Sequence, residues 1–148
     1  MLYLIGIGLN NEKGISLNGL YAIKTCNYVY LENYTNKSNL NIKKLEKFYN
    51  KRIILADRNF VENKTQEILD KSKKENVAFL IIGDVFFATT HSTLFLEAKK
   101  QNIKVKIIHN ASVFNAIGET GLSLYNFGKI TSIPFENKNI KTPIEVLK

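Results

Sequence analysis

The residues of this 148-residue chain best suited to chemistry gather where apolar runs stop. Val77 to Ile82 is short, apolar and β-branched, and it ends abruptly at Gly83-Asp84. Ala88, Thr89, Thr90 and His91 follow as small or hydroxyl-bearing groups leading into a helix. A glycine at such a place lets a ligand approach the backbone, and an aspartate can accept hydrogen bonds from it. Asn110-Ala111-Ser112 ends the next apolar run, Ile103 to His109, and offers a second set of small polar groups. Ser112 suits either the cap of a short following helix or contact with the same ligand. Ligands of open α/β sheets bind beyond the carboxyl ends of the strands, so these two strand ends form the expected site.

Other chemistries fit less well. The turn GIGLNNEKG after the first apolar run has Asn11 where a dinucleotide fingerprint needs its third glycine, and only Glu32 could end the second strand as its acid. No Gly-Lys-Ser/Thr follows, which removes a P-loop. Thr90-His91 and Ser112 lack a nucleophile elbow and an orienting acid. His91 reads as a helix-entry or structural residue, and His109, closing a buried strand, as a satisfied structural histidine. Two histidines without a cysteine or acid cluster make no metal site, and the lone Cys26 makes neither an internal disulfide nor a cysteine-built zinc site. Asp84 has a plain alternative as an Asx-turn former, but its place at a strand end favours a ligand.

The elements that position these groups alternate regularly. Strands are expected at Leu2–Gly6, Tyr28–Glu32, Ile53–Ala56, Val77–Ile82 and Ile103–His109. Ser16 reads as the N-cap of a helix carrying Leu17, Leu20 and Tyr21 inward, and Ile42, Leu45 and Tyr49 as a helix ending at Asn50. Val61, Thr65, Ile68, Leu69 and Ser72 form one stripe of a longer helix, and a further helix runs from about Ser92 to Gln101. Strand and helix in alternation with short connections predict an α/β fold, a mostly parallel sheet flanked by helices on both faces. Thr131 to Phe135 is a candidate last strand. Residues 1–135 then form the α/β domain, and residues 136–148, with Pro143, read as a linker toward a second domain.

Composition bounds the partners. A hydrophobic content of 45% and a charged content of 23% suit one soluble globular domain. No apolar run approaches the roughly 20 residues of a membrane helix. MLYLIGIG lacks the basic flank and cleavage site of a signal peptide, so a reduced, cytoplasmic protein is expected, with no membrane partner. The net charge of +8 is concentrated at Lys37, Lys43, Lys44, Lys47, Lys51 and Arg52, with Lys99, Lys100, Lys104 and Lys106 as a second group. Such patches can steer acidic or nucleic-acid partners. These lysines alternate with apolar residues as on a solvated helix face, so nucleic acid is not the expected partner.

The chain resembles the diphthine synthases, within the tetrapyrrole-methylase-like (class III) methyltransferases. The likeness spans nearly the whole sequence. It rests on MLYLIGIGL with ISLNGLYAIK, on YVYLENYT and ILADR, on Gly83-Asp84 with ATTH, on IIHNAS at Ile107 to Ser112, and on NAIGETGLSLYNFGK at Asn115 to Lys129. The resemblance implies an S-adenosyl-L-methionine-dependent methyltransferase of diphthamide biosynthesis. Its protein substrate would be translation elongation factor two, methylated on the amino group of the aminocarboxypropyl arm of a modified histidine. It implies cofactor contacts at Leu9, Asp84, Phe87, Ser112 and Val113, no assigned catalytic base and no metal. Homodimers are the family's habit. Asp84 would be a binding group, and the protein would mainly orient a neutral amine in a partly dry cavity.

Two departures stand out. Val85 replaces the proline usual after Gly-Asp. The family's second domain also has no counterpart in these residues, so the chain either works with a separately encoded second half or is a truncated piece or remnant with impaired catalysis. A non-catalytic half-domain, and a sister methylase acting on a tetrapyrrole or RNA, are the alternatives.

Overall fold

The structure is a computed structural model that describes residues 1–34, 40–87 and 91–131, together with residue 145. Five strands, β1 (Leu2–Gly6), β2 (Tyr28–Glu32), β3 (Ile54–Ala56), β4 (Val77–Ile81) and β5 (Val105–Ile108), form one sheet in the order β3-β2-β4-β1-β5. Every pairing is parallel, with Leu2 beside both Val77 and Val105. The helices are α1 (Leu17–Lys24), α2 (Ile42–Tyr49), α3 (Arg58–Asn63), α4 (Thr65–Lys74), α5 (Ser92–Lys100) and the one-turn α6 (Val113–Ala116).

A parallel sheet needs cover on both faces, and the alternation of buried residues supplies it. Ile5, Leu31 and Leu80 pack with Ala22 and Ile23 of α1 and Leu45 and Tyr49 of α2. Leu4, Tyr30 and Phe79 pack on the opposite side with Ile68 and Leu69 of α4 and Leu94 and Ala98 of α5. β4 is buried along its whole length, as its unbroken apolar run required.

Local chemistry sets the helix ends. Ser16 Oγ accepts from Gly19 N at 3.2 Å and Asn41 Oδ1 from Lys44 N at 3.2 Å, while Asn50 closes α2 in the left-handed conformation at φ 52°. The stripe from Val61 to Ser72 is not one helix. Asp57 Oδ1 caps Phe60 N at 2.7 Å and starts α3 earlier, the Arg58–Glu62 and Asn59–Asn63 pairs hold that turn, and Lys64 at φ −125°, ψ 14° separates it from α4. The edge strands are also shorter than the sequence suggests. β5 begins at Val105 because Ile103 N is taken by the carbonyl of Ala98 at the end of α5. Ile53 N likewise donates to Glu46 Oε1 at 2.8 Å, leaving β3 only Ile54–Ala56.

Contacts gather into two units, Met1–Val113, which holds the whole sheet, and Phe114–Lys148. The described part of the second unit contains 3-10 turns at Ile117–Thr120 and Leu124–Asn126, with no strand among its described residues. Lys37, Ala88, Thr89, Thr90, the strand expected at Thr131–Phe135 beyond its first residue, and the linker except Glu145 lie outside the described residues.

Candidate functional site

β4, β1 and β5 are neighbours, so their carboxyl ends deliver Gly83-Asp84, Gly6-Ile7-Gly8-Leu9 and His109-Asn110-Ala111-Ser112 side by side. The connections leaving β1 and β4 depart to opposite sides: β1 leads to β2 beyond β4, and β4 leads to β5 beyond β1. Such a reversal opens the crevice in which ligands of this architecture bind.

Asp84 ties two of these ends together. Its Oδ1 accepts from Phe86 N at 3.1 Å, the Asx turn its sequence position suggested. Its Oδ2 accepts from Asn110 N at 3.0 Å and lies 2.9 Å from His109 Nδ1. The residue is 3% exposed. Burial alone would raise its carboxyl, but the N–H groups of Asn110 and Phe86 and the His109 ring outweigh that and hold it below the ordinary value.

Asn110 joins the third end. Its Nδ2 donates to the carbonyls of Gly6 and Gly14, both at 3.0 Å, and its Oδ1 accepts from Ala111 N at 2.8 Å. The main chains approach so closely that a Cβ on Gly6 would meet the Gly83 carbonyl oxygen at 2.5 Å. A side chain there would fill the seam that the three loops share.

The residues expected at the ligand all fall on this edge. Ser112 is buried beside Gly83, Leu9 is half-buried, and Phe87 and Val113 are exposed at 47% and 61%. Apolar side chains left exposed beside main-chain donors and acceptors suit a nucleoside, which needs a flat apolar shelf and hydrogen bonds at its rim. An ionised, buried Asp84 at the same edge adds a negative charge that favours a cationic ligand. No group of three or more metal-capable side chains occurs among the described residues. Exposed apolar side chains, main-chain hydrogen-bonding groups and a buried negative charge at one sheet edge suit a small cationic ligand with an apolar face.

The histidines differ from their sequence reading. His109 lies one residue beyond β5 with its side chain 66% exposed, and it is bonded to Asp84 rather than buried in a strand. His91 is buried at the entry to α5, with its ring 5.1 Å from Phe79 and 6.4 Å from Tyr34, and neither ring nitrogen has a hydrogen-bond partner among the described residues. Burial lowers its pKa, with Glu32 acting in the opposite direction. The Asp84–His109 bond joins residues from separate strands, and no spacing in the sequence signalled it.

The basic group on α2 is spread as a helix face: Lys43, Lys44 and Lys47 are exposed, while Lys51 Nζ donates to the carbonyl of Cys26 at 2.7 Å. No helix among the described residues is long and apolar enough to cross a membrane.

The sequence matches the tetrapyrrole (corrin/porphyrin) methylases across residues 1–146. It is 54% identical over 136 residues to a diphthine methyl ester synthase of Kluyveromyces lactis, covering 91% of this chain and 46% of that protein. A diphthine methyl ester synthase of Saccharomyces cerevisiae is 53% identical over 140 residues, covering 94% and 47%. A crystal structure of diphthine synthase superposes with a TM-score of 0.86 at 35% identity, covering 99% of this chain and 58% of that one. The chain thus spans about half the length of the curated relatives it matches.

Proposed function

The chain belongs to the tetrapyrrole (corrin/porphyrin) methylase family, and we propose that it carries the S-adenosylmethionine-binding part of a diphthine synthase. The observation that carries this reading is the meeting of Leu9, Asp84, Phe87, Ser112 and Val113 at one sheet edge, in a chain 54% identical to a diphthine methyl ester synthase. Residues 1–135 would form the cofactor-binding domain, acting in the cytoplasm. Translation elongation factor two would supply the acceptor, the aminocarboxypropyl arm of its modified histidine. The relatives' name adds a second acceptor on that arm, the carboxylate that becomes the methyl ester.

When bound, the cofactor supplies a methyl group already activated on a sulfonium. The residues of this chain would hold and orient it. Phe87, Val113 and Leu9 would offer apolar surface, and Ser112 a hydroxyl. Asp84 would act mainly through position, because both of its oxygens are engaged within the protein and fix the β4 and β5 loops relative to each other. Holding acceptor and methyl in line is the main contribution such a frame can make.

The test is calorimetric titration of the chain with S-adenosylmethionine. Saturable binding that weakens on Phe87→Asp and Val113→Asp supports the reading. A folded chain that binds equally well with both substitutions would sink the assigned positions.

A further inference from the structure

We propose that His109 is a catalytic residue whose Nε2 takes the proton that an amine acceptor loses on methylation. The proposal rests on the methyl-transfer reading above. An alkylammonium has no lone pair to give, so each methyl delivered to nitrogen requires one proton to leave.

The tautomer follows from the partner. Asp84 is buried and holds its carboxyl below the ordinary value, so it is ionised near neutrality and can only accept. Nδ1 of His109, 2.9 Å from Asp84 Oδ2, must therefore donate. A neutral imidazole then presents an unprotonated Nε2, and among the described residues that nitrogen makes no hydrogen bond. A base oriented through its other nitrogen by a buried carboxylate is the arrangement that general-base catalysis uses.

Its place is also right. His109 is bonded to Asp84, its ring lies 6.2 Å from the ring of Phe86, which precedes Phe87, and Ser112 and Val113 follow it along the same strand end. Asp84, from the loop beyond β4, faces its Nδ1, and Lys106 of β5 shares with His109, Ser16 and Asn18 a shallow depression of about 350 Å³. The proton passes from the acceptor nitrogen to Nε2. The freed lone pair then forms the nitrogen–carbon bond as the sulfur–carbon bond breaks and sulfur keeps that electron pair. Asp84 stabilises the imidazolium, and water collects its proton at the exposed ring edge.

The carboxylate of the same arm carries no proton at neutral pH, so its methylation needs no base. The decisive experiment is His109→Gln assayed on elongation factor two bearing either the unmethylated arm or the arm already methylated on nitrogen. The ratio of amine to carboxylate methylation is expected to fall by about 100-fold or more. Equal loss on both acceptors, or no change in the ratio, overturns the proposal while leaving the methyl-transfer reading intact. Absence of transfer by the wild-type chain to either acceptor overturns this proposal, while the S-adenosylmethionine titration decides the cofactor-binding reading separately. A second readout needs no cofactor: nitrogen-15 NMR of the ring is expected to place the neutral proton on Nδ1, and to lose that preference in Asp84→Asn. A proton found on Nε2 in the wild type overturns the assignment of the base.

Discussion

Gly8 and Gly83 hydrogen-bond to each other in both directions, N–H to carbonyl at 3.1 Å and 3.0 Å, each at a positive φ that favours glycine. This single antiparallel bridge continues a parallel strand pair past its end and turns the two loops toward the same edge.

The seam so formed has no room for a side chain. Gly6→Ala would drive its Cβ against the Gly83 carbonyl, and is expected to destabilise by at least about 3 kcal/mol. Gly118→Ala, with nothing within 4 Å of its Cβ, is the matched control and should stay within about 0.5 kcal/mol. Chemical denaturation of both variants measures the difference.

Asn110→Ala removes the donor that reaches the Gly6 and Gly14 carbonyls. At about 1 kcal/mol per net hydrogen bond, a loss of about 2 kcal/mol is expected by urea titration, with weaker S-adenosylmethionine binding as the loops separate.

Asp84 makes stability depend on acid. Its folded pKa lies below the unfolded value, so its contribution is complete above the unfolded pKa and is lost as pH falls through the folded one. The wild-type melting temperature should fall as the pH drops below about 4. Asp84→Asn should melt lower at pH 7 and lose less on acidification.

His91 acts in a higher pH window. Its folded pKa is depressed by burial, so its contribution is present above the unfolded value of 6.5 and lost as pH falls below it. The melting temperature should fall as pH drops from about 7 to about 5, and His91→Phe should flatten that slope. Because neither ring nitrogen is bonded among the described residues, an apolar ring between Phe79 and Tyr34 should cost little stability at pH 7, and a large loss there would point to a partner for the ring.

Much of this was legible in the chain. The apolar runs gave the strands, Ser16 and Asn50 the limits of two helices, and Gly83-Asp84 with Asn110–Ser112 the strand-end loops, because each depends on neighbours in sequence. The Val61–Ser72 stripe misled because periodicity records which side faces the core and is blind to a break at one residue, here Lys64. Ile103 looked like strand because it is buried, yet its N–H belongs to the end of α5. His109 was hardest to read. Its exposure and its bond to Asp84 are set by the adjacency of the β4 and β5 loops across β1, which no local pattern encodes.

The central place of β1 has a consequence in time. This strand precedes the other four along the chain, yet its partners are β4 and β5, with Leu2 waiting for Val77 and Val105. During synthesis β2 can meet β3 across α2 while the apolar LYLIG segment still has neither neighbour. Closure of the sheet is therefore a late, long-range event, and until β4 emerges the nascent chain carries an unpaired strand of the kind that chaperones bind.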